Sequence, residues 1–252
     1  MELSEALDFL GEVPWRINTF ILDIQKEIWE RGGGMGSIPT RLDVPMIEEE
    51  DYYNILERDE AIKLKAMEFE EGPEKSKKYK KSKFLEQVKR INRTNSNLHS
   101  LRCDFQLKIG IAEDFREDRI YFPQQVDFRG RVYPIPPHLN HIGSDQCRSL
   151  LLFDKKMPLG PEGLNWLKIH LCNLFGENKI PLEERINWVD DRMESVRDSV
   201  EMPLDGLRFW LDAEDPFQVR NECRDRKEYR TDHKTSPFIP FYFYRLLLPA
   251  KR

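Results

Sequence analysis

The segment "DFRGRVY" (127–133) places charged and aromatic side chains at every second position. In an extended strand, Asp127, Arg129, Arg131 and Tyr133 would share one face. The two guanidinium groups would then stand about 7 Å apart, a spacing comparable to that of successive phosphates along a nucleic-acid strand. Because the planar fork of an arginine pairs bidentately with phosphate oxygens, this pattern is suited to a sugar–phosphate backbone.

The other residues of the segment fit the same interpretation. Asp127 could hold one arginine in place, and Tyr133 could stack on a base or bond a ribose. Gly130 would remove a side chain where another backbone comes close. The alternative is a surface strand with an ion pair, since exposed pairs are common and contribute about 0–1 kcal/mol. Composition alone leaves both interpretations open.

The composition limits the classes of function. The chain has 252 residues, of which 39% are hydrophobic and 34% charged, and this is typical of a polar globular protein. Its formal net charge of −5 gives no global attraction to nucleic acid, so such binding requires a local patch. The four cysteines are too far apart for CxxC sites and indicate reduced thiols in a non-secretory compartment. No apolar run approaches the ~20 residues of a membrane helix.

The elements that must position these residues are mainly helical. Apolar residues at helical spacing predict a helix over 15–31, ended by Gly32–Gly34, and a long amphipathic helix over about 83–115. Further helices are predicted over 145–153, 161–175 and 182–200, with Ser144 and Gly176 as caps. With the strand of the first segment, the fold class is mainly α with a small β element, α+β.

Polar residues form a second stripe along the long helix. They advance by three or four positions, which puts them on one side: Asn92, Asn95, His99, Arg102 and Gln106. This seam is either a solvent face or a surface that follows a nucleic-acid backbone. Before it, residues 43–74 carry twelve acidic and three basic side chains, whereas residues 75–93 carry nine basic and one acidic. These neighbouring blocks could neutralise each other.

Catalytic chemistry is hard to build from the remaining residues. His138 and His141, with Asp145 and Cys147, could suggest a metal site, but their spacing is loop-like and no standard fourth ligand follows. A metal-dependent hydrolase would use His138, His141 and Asp145. No isolated carboxylate pair, nucleophile elbow, P-loop or dinucleotide fingerprint occurs. No catalytic residue and no metal ligand is therefore assigned.

Several blocks, in the same order, resemble the phage-type single-subunit RNA polymerases, above all their mitochondrial and organellar branch. They are "VPWRINTFILDIQKEIWERGGG", "HSLRCDFQLKIGIA", "YFPQQVDFRGRVYPIPPHLNHIGSDQCRSLLLF", "KKMPLGPEGLNWLKIHLCNLFG" and "WLDAEDPFQ". The resemblance implies a right-hand polymerase fold that makes RNA on a DNA template by two-metal nucleotidyl transfer. It covers roughly residues 5–218.

The resemblance also implies site roles. The segment 127–133 corresponds to the D-x-x-G-R motif at the start of the palm, whose residues contact the template or the RNA–DNA hybrid. Arg102 corresponds to a basic thumb position, and the block with Lys168 and His170 lies near the hybrid. Because Lys168 and His170 are two apart on a helix they point in different directions, and Lys168 is the better phosphate ligand. The expected template- and hybrid-binding residues are Arg102, Asp127, Arg129, Gly130, Arg131, Tyr133, Lys168 and His170.

The departures from the family matter equally. The blocks that supply its two catalytic Asp residues, like "DGSCNGLQH" and "HDS", are not found in these 252 residues. We therefore expect a truncated DNA-directed RNA polymerase that contacts template and hybrid but is inactive alone. The alternative is a non-catalytic nucleic-acid-binding fragment that regulates or competes with the full-length enzyme.

The sequence thus predicts five segments. Residues 1–42 lead into the thumb, 43–82 form a charged linker or insert, 83–118 form a thumb-like helix, 119–218 start the palm, and 219–252 form an off-family tail, disordered or artefactual. No cofactor is expected in this chain, whereas the full-length family uses Mg²⁺. The resemblance implies DNA template, RNA–DNA hybrid and mitochondrial transcription factors as partners, no membrane, and a mitochondrial location without a transit peptide in this chain.

Overall fold

The computed structural model describes residues 3–155 and 162–231. The described residues form two compact units. The first contains the residues up to Pro39 and those from Asp104 on, and the second contains Thr40–Cys103. Helices dominate both, and two short antiparallel sheets complete the first, so the mainly α fold with a small β element is confirmed. No helix in the described ranges is both long and apolar enough to span a membrane.

The first unit begins with helix α1 (Leu3–Gly11), strand β1 (Trp15–Ile17) and helix α2 (Thr19–Glu30). The helix predicted over 15–31 therefore starts four residues later, after a strand. Asn18 caps α2, since its side chain accepts a hydrogen bond from the Ile21 amide. The predicted apolar face of α2 is confirmed, because Ile21, Ile24 and Ile28 are buried.

The second unit holds helices α3 (Glu49–Asp59) and α4 (Ala61–Glu71) and most of helix α5 (Pro73–Asp114). The segment 43–82, predicted to be a charged linker, thus contains two helices and the start of a third. Tyr52 and Tyr53 of α3 pack against Phe84 of α5, with ring centroids 5.9 and 6.1 Å apart. The end of α5 belongs to the first unit, where Phe105 and Ala112 are buried in its core.

Two sheets follow α5. Strands β2 (Gln124–Val126) and β3 (Val132–Pro134) form a hairpin in which Gln124 pairs with Pro134 and Val126 with Val132. Helix α6 (Asp145–Ser149) is shorter than the predicted helix over 145–153, because residues 151–153 form strand β4 (Leu151–Phe153). This strand pairs with β1, antiparallel.

The remaining elements are helical. They are helix α7 (Gly163–Phe175), helix α8 (Leu182–Asp190), helix α9 (Met193–Glu201), a 3₁₀ turn (Phe209–Asp212) and helix α10 (Pro216–Thr231). The helix predicted over 182–200 is interrupted at residues 191–192. Gly176 ends α7 in the left-handed region, as predicted. The predicted proline at the start of this helix, Pro161, lies outside the described residues.

Helix α10 crosses the boundary between residues 218 and 219 at which the family resemblance was expected to end. Phe217, Val219 and Cys223 of this helix are buried in the core of the first unit. Asp145 receives hydrogen bonds from the amides of Phe217 and Gln218, 2.9 and 3.0 Å long. Residues 219–223 are therefore packed parts of a folded helix, and the tail prediction for 232–252 lies outside the described residues.

Candidate nucleic-acid interface

The segment "DFRGRVY" forms the apex of the β2–β3 hairpin. The Gly130 amide donates to the Asp127 carbonyl oxygen at 3.0 Å and closes a four-residue turn, and the Asp127 amide donates to the Arg131 carbonyl at 2.9 Å. Gly130 has a φ of 77°, the left-handed conformation of the bulge glycine in a three-residue hairpin loop. The structure thus places residues 127–130 in a turn between two strands.

This turn corrects the predicted strand. Side chains alternate between two faces only in extended backbone, so residues 127–133 do not all obey the predicted alternation. Within the chain no other backbone lies close to Gly130, because a Cβ atom at this position would meet nothing within 4 Å. Its requirement is the positive φ, which glycine adopts without steric cost.

Asp127 organises the apex. Its Oδ1 atom accepts hydrogen bonds from the amides of Arg129 and Arg131, both 2.9 Å long. Its Oδ2 atom accepts from Nε of Arg129 at 3.0 Å and lies 3.0 Å from Nη2. The bond from the Arg131 amide, assisted by the Arg129 side chain and amide, lowers the pKa of Asp127, which is therefore ionised at neutral pH. The predicted role of Asp127, holding one arginine, is present.

The apex exposes the ring of Phe128, which the predicted strand would have placed on its apolar face against a core, so this placement is wrong. Phe128 is 97% exposed, and the guanidinium carbon of Arg129 lies 5.5 Å from its ring centroid. Single exposed apolar side chains are common on protein surfaces, and this exposure leaves the ring available for a contact. The sequence feature that could have indicated this exposure is the position of Phe128 directly after Asp127, at the centre of the turn.

The neighbouring arginine and tyrosine complete the hairpin surface. Arg131 is exposed, and only its backbone is held by Asp127. Tyr133 is half-buried in β3, opposite Gln125. The structure therefore brings Asp127, Arg129, Gly130 and Arg131 together around one turn, with Phe128 at its tip and Tyr133 on the adjoining strand.

Arg102 lies in the other unit and has internal partners. Its Nε and Nη2 donate to the carbonyl oxygens of Thr40 and Leu42, both at 2.7 Å, and its Nη1 bonds Asp43 at 2.7 Å. Asn95, about two turns earlier on α5, likewise bonds the backbone of residue 44 through both of its amide atoms. This side of the predicted polar seam thus holds the segment 40–44 against α5.

Lys168 and His170 of α7 also contact neighbouring helices. Nζ of Lys168 lies 2.5 Å from Oδ2 of Asp190 on α8, and its side chain is 14% exposed. His170 is buried, and its Nε2 lies 3.8 Å from Oε1 of Glu222 on α10, beyond hydrogen-bonding distance. Burial, together with the charge of Arg148, lowers the pKa of His170 to about 4, so its ring is neutral at pH 7. As predicted, the two side chains point in different directions.

The residues considered for a metal site serve other purposes. His141 stacks on Trp15 with centroids 5.3 Å apart, and Cys147 donates from Sγ to the carbonyl of His138 at 3.3 Å. Asp145 caps α10 through its bonds to the first amides of that helix. In the described ranges, no group of three or more His, Cys, Asp or Glu side chains is placed to hold a metal ion. These residues therefore do not fit the Mg²⁺ site that the polymerase family implies.

Comparison with known proteins identifies the relatives of this chain. Residues 157–240 match the family model of DNA-dependent RNA polymerase. The match includes residues 219–240, which the sequence analysis assigned to the off-family tail.

Three relatives illustrate the similarity. Over 227 residues the chain is 42% identical to "DNA-directed RNA polymerase 2B, chloroplastic/mitochondrial" of Nicotiana tabacum, covering 89% of this chain and 20% of that protein. It is 41% identical over 227 residues to "DNA-directed RNA polymerase 1, mitochondrial" of Arabidopsis thaliana, covering 89% and 21%. It is 38% identical over 230 residues to "DNA-directed RNA polymerase 3, chloroplastic" of Nicotiana sylvestris, covering 90% and 21%. The chain thus spans about a fifth of the length of these relatives.

Proposed function

Because this chain belongs to the DNA-dependent RNA polymerase family, we propose that it is a segment of a DNA-directed RNA polymerase that contacts the template strand and the RNA–DNA hybrid. The observation that carries the proposal is the apex of the β2–β3 hairpin. There, a fully exposed Phe128 and an exposed Arg131 extend from a turn that Asp127 holds by several hydrogen bonds.

The chemistry of the apex suits a nucleic-acid strand. Arg131 supplies a guanidinium fork for phosphate oxygens. Phe128 supplies a ring on which a base can stack, a contact worth about 1–3 kcal/mol and independent of base identity. Because Asp127 fixes the backbone of the turn before binding, little conformational entropy is lost when a strand docks. The hairpin therefore provides position and affinity, and contributes no group to nucleotidyl transfer.

Equilibrium binding of the full chain to a fluorescent RNA–DNA hybrid, followed by anisotropy, tests this proposal. Phe128→Ala should weaken binding roughly 5- to 150-fold, the equivalent of one stacked base. Arg131→Ala should reduce the dependence of log K on log salt by about 0.9, the loss of one phosphate contact.

The matched control is Arg197→Ala on α9, which also removes an exposed arginine of the first unit. It should leave the affinity within about twofold, since Arg197 is not part of the β2–β3 hairpin. If Phe128→Ala binds the hybrid as tightly as the unchanged chain, the hairpin does not contact nucleic acid as proposed.

We further propose that the protein acts in an organelle and works with mitochondrial transcription factors. The location is supported by relatives whose names place them in mitochondria, in chloroplasts or in both. The factors follow from the family resemblance of the sequence. Immunodetection in purified mitochondria and plastids tests the location, and co-purification of a transcription factor with the protein from the organelle that contains it tests the partner. Detection in neither organelle would contradict both.

A further inference from the structure

A groove opens within the second unit, where the residues before α3 and the first turn of that helix face the middle of α5. It encloses about 620 Å³, enough for a small ligand or for several side chains of a partner. Most of its wall is apolar, and we call it the α3–α5 groove. Its apolar side chains are those of Val44, Pro45, Met46, Ile47 and Ile91.

The apolar surface of the α3–α5 groove is open to water. Met46 is 51% exposed, Val44 is 39% exposed, and Leu42, two positions before Val44, is 77% exposed. Apolar side chains that adjoin one another around a concave site are typical of a contact surface, unlike single apolar side chains scattered over a protein. Because the exposed apolar side chains continue past the groove to Leu42, this surface suits a stretch of polypeptide better than one compact molecule.

The backbone beside the groove is held in place before anything binds. The amide of Val44 donates to Oδ1 of Asn95 at 2.8 Å, and Nδ2 of Asn95 donates to the carbonyl oxygen of Val44 at 3.0 Å. Nη2 of Arg102 donates to the carbonyl oxygen of Leu42 at 2.7 Å. A partner therefore meets a preformed surface, so less conformational entropy is lost on binding.

The charges of the α3–α5 groove restrict the chemistry of its occupant. Glu48 and Asp51, at the start of α3, line the groove and are both exposed. Neither carboxylate forms an ion pair or a side-chain hydrogen bond within the part of the chain that the structure describes. Two such carboxylates attract lysine or arginine and repel phosphate groups and acidic peptides. Arg90 of α5 also lines the groove and can donate to main-chain carbonyl oxygens of an occupant.

We propose that the α3–α5 groove binds a segment of another protein in which large apolar side chains lie next to lysine or arginine. An apolar side chain of the segment contacts Met46 and Ile91, and its basic neighbours pair with Glu48 and Asp51. This site belongs to the second unit. It goes beyond the nucleic-acid contact proposed above and does not rest on it, because the two carboxylates disfavour a phosphate backbone.

Binding of three fluorescent peptides of equal length to the full chain, followed by anisotropy, tests the chemistry of the occupant. The first peptide is composed of leucine and lysine, the second has glutamate in place of every lysine, and the third has serine in place of every leucine. The leucine–lysine peptide should bind more tightly than the other two. Equally tight binding of the glutamate peptide would show that the carboxylates do not select the occupant. Equally tight binding of the serine peptide would show that the apolar wall does not, and either result would overturn the proposal.

Variants of Met46 test whether the peptide occupies the groove. Met46→Gln should weaken binding of the leucine–lysine peptide roughly 4- to 12-fold, because the exposed half of this side chain loses its apolar contact. Met46→Leu keeps an apolar side chain of similar volume and should stay within about twofold of the unchanged chain. Equal affinities of Met46→Gln and Met46→Leu would overturn the proposal.

A double variant tests the acidic side of the groove. Glu48→Gln combined with Asp51→Asn should weaken binding of the leucine–lysine peptide roughly 2- to 30-fold at low salt, and less at high salt, because two exposed ion pairs are lost. The matched control combines Glu50→Gln and Glu68→Gln, which remove two exposed carboxylates of the same unit outside the groove. Its affinity should not change. Equal losses in both double variants would mean that net charge alone acts, and this would overturn the proposal.

Two other occupants are distinguished by the same Met46→Gln variant. Sedimentation velocity of the unchanged chain reports self-association, and a dimer that Met46→Gln abolishes would assign the groove to a second copy of this chain. Binding of the RNA–DNA hybrid should be the same for Met46→Gln and the unchanged chain, and a loss would assign the groove to nucleic acid. Either result would overturn the proposal. Because Phe128 is intact in every variant, failure of the groove and failure of the hairpin contact remain distinguishable.

Discussion

Replacement of Asp145 by asparagine should remove part of the pH dependence of the free energy of unfolding. Asp145 is buried at the start of α6 and accepts hydrogen bonds from the Phe217 amide, the Gln218 amide and Nε2 of Gln218, between 2.9 and 3.2 Å long. Burial raises its pKa to about 6 from the ordinary 3.8, despite these bonds and with a small contribution from the charge of Asp215. Folded Asp145 therefore retains its proton at a pH where the unfolded chain has lost it.

The sign and size of this effect on the free energy of unfolding follow from the linkage between proton binding and folding. A carboxyl whose pKa is raised on folding contributes stability that is fully present below pH 4 and is lost as the pH rises to about 6. Two pKa units correspond to about 3 kcal/mol, an upper value for this group. The asparagine side chain of the Asp145→Asn variant would carry no such penalty, although its NH₂ group loses about one hydrogen bond, worth about 1 kcal/mol. Above pH 6.5 the free energy of unfolding of Asp145→Asn should therefore equal or exceed that of the unchanged chain.

Urea unfolding followed by circular dichroism at pH 4, 5, 6 and 7 measures the difference between the two proteins. The unchanged chain should lose up to about 3 kcal/mol relative to Asp145→Asn across this range. The control Asp212→Asn, which removes an exposed carboxyl of the 3₁₀ turn, is measured in the same way. The reasoning would be refuted if the difference in free energy of unfolding between Asp145→Asn and the unchanged chain did not change with pH. It would also be refuted if that difference grew in favour of the unchanged chain as the pH rises. The three donors at α10 would then outweigh burial.

Three further predictions concern the hairpin, the segment 40–44 and catalysis. Gly130→Ala should weaken hybrid binding in the anisotropy assay more than Gly130→Asn does, because alanine at a φ of 77° costs about 1–2 kcal/mol, whereas asparagine tolerates this region. Equal binding by both variants and the unchanged chain would contradict the claim that binding requires this turn. Arg102→Gln should speed tryptic cleavage at Arg41 by up to about 100-fold, because three hydrogen bonds of about 1 kcal/mol each no longer hold residues 40–43. An unchanged cleavage rate would show that these bonds are not needed. The chain supplied with Mg²⁺, nucleoside triphosphates and a primed hybrid should bind without extending the RNA, because two-metal transfer needs bridging carboxylates; extension would contradict this.

The helices with a sustained apolar period were predictable from the sequence. The face of α2 and the buried end of α5 follow directly from the 3.6-residue repeat, because each helix is long enough to show several turns. Gly176 ended α7 where a left-handed cap was expected. Strands β1 and β4 could not be recognised, since three residues are too few for a period and their pairing is set by tertiary contacts.

The residues of the candidate site were singled out from the sequence, but the backbone conformation predicted for them was wrong. The alternation in "DFRGRVY" favoured a strand, yet Asp127 and Gly130 occupy the first and fourth positions at which Asp and Gly favour a type I turn. That local signal was stronger than the period-2 pattern, which needs several residues to be decisive. The ion pair of Lys168 with Asp190 joins residues of two helices, and sequence spacing does not specify which of their faces meet.

Photo-crosslinking from position 128 tests the central claim most directly. A photoreactive phenylalanine analogue replaces Phe128 in the full chain, which is mixed with an RNA–DNA hybrid labelled on either strand. The proposal predicts a crosslink to the hybrid that disappears when unlabelled hybrid is added in excess. The same analogue at the exposed Leu207 of the first unit serves as the reference. Crosslinking from position 128 no stronger than from position 207 would contradict the claim that the hairpin apex contacts nucleic acid.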